Sequence, residues 1–322
     1  MDATKPATTL GVDIGGTSVK TALWVGSTCV RTGQSPFYAR PTTDQLLAAI
    51  RAAVGSAARE LGTVGLCVPG LLDADRRVVT LSVNVPGLAG YQLDQLVPQA
   101  LGLPTEPSDR QTTISNDATA SAYDIFQTRK LTGRLLVIAL GTGVGAAVLD
   151  DGIPLRVEGD SPGHIGQMDV SIAGSEVIGP DGGAGGLEGY IGAPALRRRL
   201  GPDLTAGLRD MAADDPAILA LVRALRICHA IYRPQHICLC GGVGIRLRHL
   251  LRAIYEKTAD RLTSVSRSGW SLDCGIDDFH AARGAAQLAA AAAGNGHSLA
   301  RDDVSVGSAL ADRLLSPLEQ RK

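Results

Sequence analysis

The chain has 322 residues, too many for one small domain and enough for two lobes that each bury a core. Its 31 basic and 32 acidic residues give a formal net charge of −1, which indicates no nucleic-acid or membrane surface as a partner. Glycine supplies 39 residues and aromatic side chains only 3%, a balance that favours tight phosphate-binding turns over base stacking.

The N-terminal segment, MDATKPATTL, has no basic start followed by an apolar core, and no run of 18 uncharged apolar residues occurs. We therefore expect a soluble, cytoplasmic protein. Six cysteines lie mostly in apolar segments without a C-x-x-C pair, which indicates small buried side chains. Cys238 and Cys240 point to one face of a strand, so a metal site completed from elsewhere is the alternative to core packing.

Strands and helices alternate in the first part of the chain. Three β-rich runs separated by glycine predict a meander over TTLGVDIGG, TSVKTALWVG and TCVRTGQSPFYA. Apolar spacing near 3.6 after Thr42 predicts a helix that ends at Gly62. The strand TVGLCVPG, the helix YQLDQLVPQALG and the strand TTISND follow. This alternation predicts a small N-terminal α/β lobe over residues 1–117.

A second glycine-rich hairpin, LLVIALGTGVGAAVLDDGIPL, follows the helix that starts at Ala118. It repeats the plan of LGVDIGGTSVKTALW, so the second lobe is interpreted as a diverged copy of the first. Residues 158–192 form a long irregular segment, a kind that is more often functional than accidental. We assign residues 118–294 to a large C-terminal α/β lobe, with its last helix, 280–294, packing back on the small lobe, and 295–322 to a tail.

Three glycine-rich turns offer backbone N–H groups to an anion. In Asp13-Ile14-Gly15-Gly16-Thr17, the glycines allow close approach, Thr17 adds a hydroxyl donor, and Asp13 could hold Mg²⁺ through water. Gly141-Thr142-Gly143 repeats these donors, and Gly241-Gly242 precedes a helix predicted to start near Val243. Each turn alone could be a plain structural turn. The three in this order favour a nucleotide triphosphate site.

Five segments resemble, in order, the signature segments of ROK-family sugar kinases (repressor, open reading frame, kinase) in the actin/hexokinase/Hsp70 superfamily. They are LGVDIGGTSVKTAL, LCVPG, ISNDATASAY, IALGTGVGAAVLDDG and ICLCGGVGIRL, and the resemblance covers residues 8–290. It implies a two-lobed actin-like ATPase fold (ribonuclease H-like), with duplicated α/β lobes around a central cleft. It also implies ATP and Mg²⁺ as cofactors and a homodimer.

The resemblance also implies residue roles. It implies that Asp13, Gly15, Gly16 and Thr17 bind phosphate and Mg²⁺. Gly141, Thr142 and Gly143 would bind the other side of the triphosphate, and Gly241 and Gly242 would border the adenosine. Asp117 alone reads most simply as a helix N-cap, because it stands where a strand ends and a helix begins. By resemblance Asp117 is instead the catalytic base and Asn116 a sugar-binding residue. Asp117 would accept the hydroxyl proton as the acceptor oxygen attacks the γ-phosphorus in line.

One segment departs from the family pattern G-E-x-G-H, whose acid and histidine both contact sugar hydroxyls. Here it reads Gly163-His164-Ile165-Gly166-Gln167, so His164 replaces the acid and Gln167 replaces the histidine. Both side chains can donate and accept, whereas a carboxylate only accepts, so a different acceptor or hydroxyl geometry is expected. The alternative is that His164 is a solvent-exposed loop residue and Gln167 a turn residue, without a role in binding. The following GSEVIGPDGGAGGLEG lacks the family's cysteine cluster, so no zinc is expected.

Three further positions align with sugar-binding residues of the family. Glu188 matches a later sugar-binding glutamate, with a plain loop charge or helix-start residue as the alternative. Pro69-Gly70 and Asn84 stand where the small lobe lines the sugar in relatives.

The sequence therefore predicts an ATP-dependent kinase that transfers the γ-phosphate to a hydroxyl of a sugar or sugar-like polyol. The alternative is a catalytically weak or inactive sugar-binding regulator of the same fold, although the repressors of the family carry an N-terminal DNA-binding domain for which the position of Asp13 leaves no room. An actin- or chaperone-like ATPase is a third candidate, which would normally need additional domains.

Overall fold

The computed structural model describes residues 8–55, 61–104, 111–157, 162–180 and 182–294. The predicted tail, 295–322, residues 158–161 and 181 of the predicted irregular segment, and residues 56–60 of the helix predicted to end at Gly62 lie outside these ranges. In chain order, the first lobe contains β1 (Thr8–Ile14), β2 (Val19–Val25), β3 (Thr28–Gln34), α1 (Thr43–Val54), β4 (Thr63–Cys67), β5 (Leu71–Leu72), β6 (Val79–Leu81), α2 (Leu93–Leu101) and β7 (Gln111–Ser115).

The second lobe follows with α3 (Asp117–Thr128), β8 (Arg134–Leu140), β9 (Val144–Asp150), β10 (Ile153–Pro154), α4 (Leu187–Ile191), α5 (Ala193–Leu200), α6 (Leu204–Arg209), α7 (Pro216–Tyr232), β11 (His236–Cys240), α8 (Gly241–Gly244), α9 (Leu251–Ala259), β12 (Ser271–Cys274) and α10 (His280–Gly294). Short 3₁₀ turns occupy Pro86–Leu88, Ile165–Gln167 and Ile245–Leu250. Among these described helices, none combines the length and apolar character needed to cross a membrane.

The two lobes share one sheet topology. The first sheet has the order β3-β2-β1-β4-β7 and the second the order β10-β9-β8-β11-β12. In each, three strands form an antiparallel meander, a fourth strand pairs in parallel with the first strand of the meander, and a fifth pairs in parallel with the fourth. The predicted meander, the predicted duplication and the two-lobed α/β fold class are therefore confirmed. The glycine turns join β1 to β2 and β8 to β9, so they lie at equivalent ends of the two sheets and can face one cleft.

Two element boundaries differ from the sequence-based expectation. α1 ends at Val54, before the predicted end at Gly62. The Gly55 N–H donates to the Arg51 carbonyl, and Gly55 has a φ of 62°, a conformation that suits glycine. The helix predicted near Val243 starts earlier, at Gly241, because the glycine pair itself forms its first turn.

Helix α10 lies between the first sheet and α3. A Cβ at Gly11 of β1 would lie 1.8 Å from the Ala282 carbonyl oxygen, and one at Gly284 would lie 1.8 Å from the Ala120 oxygen. These contacts bring helix backbone against strand backbone and against α3, which a larger side chain would prevent. α10 therefore connects the sheet that bears the first glycine turn to the helix that begins at Asp117.

Candidate active site

The first glycine turn joins β1 to β2 and faces the second hairpin. Its Gly15 N–H donates to the Ser18 carbonyl at 3.0 Å, and the Tyr38 hydroxyl donates to the Gly15 carbonyl at 2.6 Å. The Tyr38 N–H donates to the carbonyl of Thr17, which lies in the same turn. A Cβ at Gly16 would lie 3.5 Å from Thr142 Oγ1 of the second turn. The two predicted phosphate turns are thus brought together across the cleft.

Asp13 is a buried carboxylate next to this turn. Its side chain is 8% exposed, and it lies opposite Lys20 in the β1–β2 register. The pKa of Asp13 is raised from 3.8 to about 7. Burial is the main cause, the like charges of Asp117 and Asp278 contribute to the rise, and Lys20 opposes it. One ammonium and two further carboxylates therefore act electrostatically on Asp13.

Asp117 occupies the first position of α3, one residue after the N-cap. The cap is Asn116, whose Oδ1 accepts the Thr119 N–H at 2.7 Å, so the N-cap interpretation of Asp117 is wrong. Asp117 Oδ1 accepts the Ala118 N–H at 2.8 Å and would lie 3.8 Å from a Cβ at Gly145 of β9. Its side chain is exposed at the cleft, yet desolvation by the surrounding protein raises its pKa, while the Ala118 N–H and Lys20 lower it.

Glu188 is tied to the second turn. Gly141 N–H donates to the Gly143 carbonyl at 3.0 Å, and Val144 N–H donates to Glu188 Oε2 at 2.8 Å. A Cβ at Gly143 would lie 3.0 Å from the same carboxylate oxygen, and one at Gly166 would lie 3.3 Å from it. Glu188 lies in the first turn of α4, as the helix-start alternative expected, and it is not a plain loop charge. Its carboxylate also lies close to the second turn and to the segment that contains Gly166.

The remaining predicted acceptor residues surround this region. His164 and Gln167 flank the buried pair Ile165–Gly166 and are exposed to solvent. Asn84 is also exposed, and its Cβ lies 3.4 Å from a Cβ built at Gly16. Gly70 has a φ of 117°, and a Cβ there would lie 2.2 Å from the Leu81 oxygen, so the β5–β6 ribbon requires glycine at this position.

The third glycine pair starts α8 at the end of β11. Gly241 has a φ of 75° and packs against β8, where a Cβ would lie 2.5 Å from the Leu140 oxygen. A Cβ at Gly242 would lie 3.4 Å from Arg246 Nη1 and 3.9 Å from Asp278 Oδ2. Arg246 and Asp278 therefore border the surface predicted to contact adenosine.

Cys238 and Cys240 precede this pair and lie in the hydrophobic core beside α3, with their sulfur atoms 3.9 Å apart. Within the described ranges, no three His, Cys, Asp or Glu side chains are grouped so that they could hold a metal ion by themselves. The carboxylates of the cleft fit a hydrated Mg²⁺, which takes one or two carboxylates and receives its other ligands from water and substrate phosphates. Asp117 and Asp278 both raise the pKa of Asp13, and a cation bound beside Asp13 would favour its ionised form.

The family comparison agrees with this arrangement: the model of the ROK family matches residues 9–292. The chain belongs to the ROK family. Among curated proteins it is similar to the kanosamine kinase of Amycolatopsis mediterranei, with 26% identity over 273 residues, 78% of this chain and 86% of that enzyme. Relatives of this ROK protein thus include a sugar kinase.

Solved ROK structures share its fold. A ROK hexokinase from Thermus thermophilus superposes with a TM-score of 0.67 at 23% identity, covering 90% of this chain and all of that one. A ROK family glucokinase from Streptomyces griseus, solved with glucose and AMPPNP, also gives a TM-score of 0.67, at 21% identity over 88% of this chain and all of that one. At these identities the likeness establishes the actin-like fold that the resemblance predicted.

Three residues of the cleft escaped the sequence reasoning. Lys20 could have been found, because the hairpin register places it opposite Asp13. Arg246 and Asp278 have no comparable local signal, since tertiary packing alone places them beside Gly242.

Proposed function

We propose that this chain is an ATP-dependent kinase that transfers a γ-phosphoryl group to a hydroxyl of a sugar or sugar-like polyol. The observation that carries the proposal is the position of Asp117. Because Asn116 caps α3, the Asp117 carboxylate is not needed as the cap and lies at the cleft beside β9. The kanosamine kinase and the nucleotide-bound glucokinase among its relatives support the same reaction class.

Asp117 would act as the general base. Its Oδ1 is held by the Ala118 N–H, so Oδ2 is the oxygen that remains to accept a proton from an acceptor hydroxyl. Desolvation raises the pKa of Asp117 and so strengthens it as a base, while Lys20 favours its ionised form. The fixed Oδ1 bond limits rotation of the carboxylate, which keeps the reacting oxygen oriented toward the substrate.

The two glycine turns would bind the triphosphate from opposite sides. Backbone N–H groups of Gly16, Thr142 and Gly143 would donate to phosphate oxygens, with Thr17 and Thr142 as hydroxyl donors. The Gly15 and Gly141 N–H groups instead close their own turns, to the Ser18 and Gly143 carbonyls. Mg²⁺, when bound, would neutralise phosphate charge, and Asp13 is the residue that would hold it through water. Catalysis on this proposal is positioning and electrostatic stabilisation.

The acceptor would bind between the turn 163–167 and the start of α3. Glu188 uses Oε2 for the Val144 N–H and retains Oε1 for a hydroxyl, while Asn116 uses Oδ1 for its cap and retains its Nδ2 group. His164 and Gln167 are exposed beside them, and Gly70 and Asn84 would close the pocket from the small lobe. An imidazole and an amide in place of an acid and an imidazole favour an acceptor other than an ordinary aldohexose.

A nucleotide-release assay tests the proposal. The full chain is incubated with ATP and Mg²⁺ and a panel of hexoses, amino sugars, polyols and cyclitols, and ADP formation is followed. Asp117→Asn should lower kcat by about 10²- to 10⁴-fold while leaving AMPPNP binding within a few-fold of the parent, because the base acts in the chemical step.

A matched control variant lies far in the chain from the proposed base. Asp260→Asn, at an exposed carboxylate that ends α9, should behave as the parent. If no acceptor raised ADP release above the Asp117→Asn background, the kinase proposal would fail. Sugar binding without turnover would then favour the regulator alternative. Homodimerisation is a further expectation from the family resemblance, and light scattering of the purified chain measures it.

A further inference from the structure

Two backbone donors of the first glycine turn are available to a ligand. Gly16 and Thr17 are partly exposed between β1 and β2, and their N–H groups donate to no residue that the structure describes. The neighbouring Gly15 N–H is used within the turn, by the Ser18 carbonyl. The Gly16 and Thr17 N–H groups are therefore the backbone donors that this turn can offer to an anion.

Tyr38 holds this turn at two points. Its hydroxyl donates to the Gly15 carbonyl at 2.6 Å, and its backbone N–H donates to the Thr17 carbonyl at 2.9 Å. The C=O and the N–H of a trans peptide unit lie in one plane and point in opposite directions. The bond to the Gly15 carbonyl therefore sets the direction of the Gly16 N–H. Because the bond to the Thr17 carbonyl sets the peptide after Thr17, the Gly16–Thr17 peptide lies between two restrained neighbours.

The Gly15–Gly16 peptide needs such a restraint, because two adjacent glycines allow it to rotate at little cost. Tyr38 can supply it, since its ring packs against the hydrophobic core of the first lobe. Its segment is also bound to β2: Ser35 N–H donates to the Val19 carbonyl at 2.9 Å, and Ser35 Oγ accepts the Val19 N–H at 3.0 Å. Burial raises the pKa of the Tyr38 hydroxyl, which therefore keeps its proton and remains a donor.

The second glycine turn has an equivalent restraint made by backbone alone. The Gly141 carbonyl accepts the N–H of Ala193, the first residue of α5, at 2.8 Å, which sets the Gly141–Thr142 peptide in the same way. In each lobe, a group from outside the turn thus holds the glycine carbonyl that precedes the donor. A substitution removes the Tyr38 hydroxyl but not a backbone N–H, so the restraint can be tested in the first turn.

We propose that Tyr38 is a positioning residue of the phosphate site, whose two hydrogen bonds orient the Gly16 and Thr17 N–H groups toward the terminal phosphates of the nucleotide. The proposal rests on the function proposed above. Tyr38 needs no contact with the nucleotide for this role, since both bonds end on the first glycine turn. Without the hydroxyl bond, the Gly15–Gly16 peptide is free to rotate, and part of the population no longer presents the Gly16 N–H to phosphate.

Calorimetric titrations of the full chain with Mg²⁺-AMPPNP and with AMP, which lacks the two terminal phosphates, test this role. Tyr38→Phe keeps the ring in the core and removes only the hydroxyl. We expect it to weaken Mg²⁺-AMPPNP binding by about tenfold, the size of one hydrogen bond, and to leave AMP binding within about twofold. In the ADP assay, kcat/KM for ATP should fall by about ten- to a hundredfold, because a misplaced donor also stabilises the transition state less. The KM for the acceptor should stay near that of the parent.

Tyr255→Phe provides the matched control, because it removes a hydroxyl from α9 of the second lobe and should bind both nucleotides as the parent does. Urea denaturation shows whether each variant is folded under the assay conditions. Equal weakening of Mg²⁺-AMPPNP and AMP binding in Tyr38→Phe would overturn the positioning role and assign Tyr38 to the general stability of the first lobe. Unchanged Mg²⁺-AMPPNP binding would overturn it as well.

Failure of the proposed function gives a different result. A parent chain that binds Mg²⁺-AMPPNP but phosphorylates no acceptor would refute the kinase proposal, and the binding comparison would still decide the role of Tyr38. A parent chain that binds neither nucleotide would refute both proposals together.

Discussion

Replacing Asp13 with asparagine should stabilise the ligand-free fold at high pH although it removes a residue of the proposed phosphate site. Burial raises the pKa of Asp13 from 3.8 to about 7. Because the folded pKa lies above the unfolded one, the folded state holds the additional proton between these values. The free energy of unfolding therefore falls as pH rises from about 4 to about 7, and stays low above that.

The size of the effect follows from the pKa difference. A difference of about three units corresponds to roughly 4 kcal/mol lost by pH 8, at about 1.4 kcal/mol per unit. The part that develops between about pH 5 and pH 8 is roughly 2.5 kcal/mol. Asparagine carries no charge, so the free energy of unfolding of Asp13→Asn should gain up to that amount relative to the parent over this interval.

Urea denaturation without nucleotide or Mg²⁺ measures this difference. Trp24 lies in β2 of the first lobe and Trp270 near β12 of the second, so intrinsic fluorescence reports on both lobes. Taking the variant minus the parent at each pH cancels the other titrating groups, and Asp260→Asn should show no such difference. An Asp13→Asn effect of the same size at both pH values would refute the argument from burial.

Three further predictions concern packing, the buried network and the acceptor. Gly284→Ala should lower the free energy of unfolding by about 1–3 kcal/mol, because its Cβ would meet the Ala120 oxygen, whereas Gly294→Ala, in open space on the same helix, should be near neutral in the same denaturation assay. Asp124→Ala should cost about 3–5 kcal/mol, because it removes the fully buried carboxylate that bonds His280, Arg283 and Gln287, while Arg252→Ala at the exposed Arg252–Glu256 pair should cost under about 0.5 kcal/mol. His164→Glu combined with Gln167→His should shift relative kcat/KM toward ordinary aldohexoses in the ADP assay, and no shift would mean that these side chains do not face the acceptor.

Much of the fold could be predicted because its signals are local. Glycines at strand ends, a polar pair at a strand–helix junction and alternating apolar runs depend on a few neighbouring residues, and they located both hairpins and the start of α3. The predicted end of α1 at Gly62 was wrong for a local reason too. Gly55 adopts a positive φ and ends α1 earlier, and the sequence pattern does not show which glycine within a helical stretch adopts such a φ.

In the cleft, the sequence pattern identified candidate residues, but the tertiary packing fixed their contacts. The Asn116-Asp117 pair was identified from sequence, but which of the two caps α3 depended on backbone geometry at the junction. Glu188 was found as a candidate, while its bond to the Val144 N–H required the approach of α4 to the second hairpin. Sequence therefore identified candidates, and geometry decided which atoms remain available for substrate.

By itself, the sequence determined the family, the duplicated hairpins and the candidate base, since each of these is encoded in short contiguous segments. Only the tertiary structure revealed Asp278 and the network behind it, in which Asp124 and His280 meet across 156 residues of chain. No periodicity or motif specifies such a pair, because contacts between distant segments form only where α10 packs against both α3 and the first sheet. That packing places an unpaired carboxylate oxygen beside Gly242.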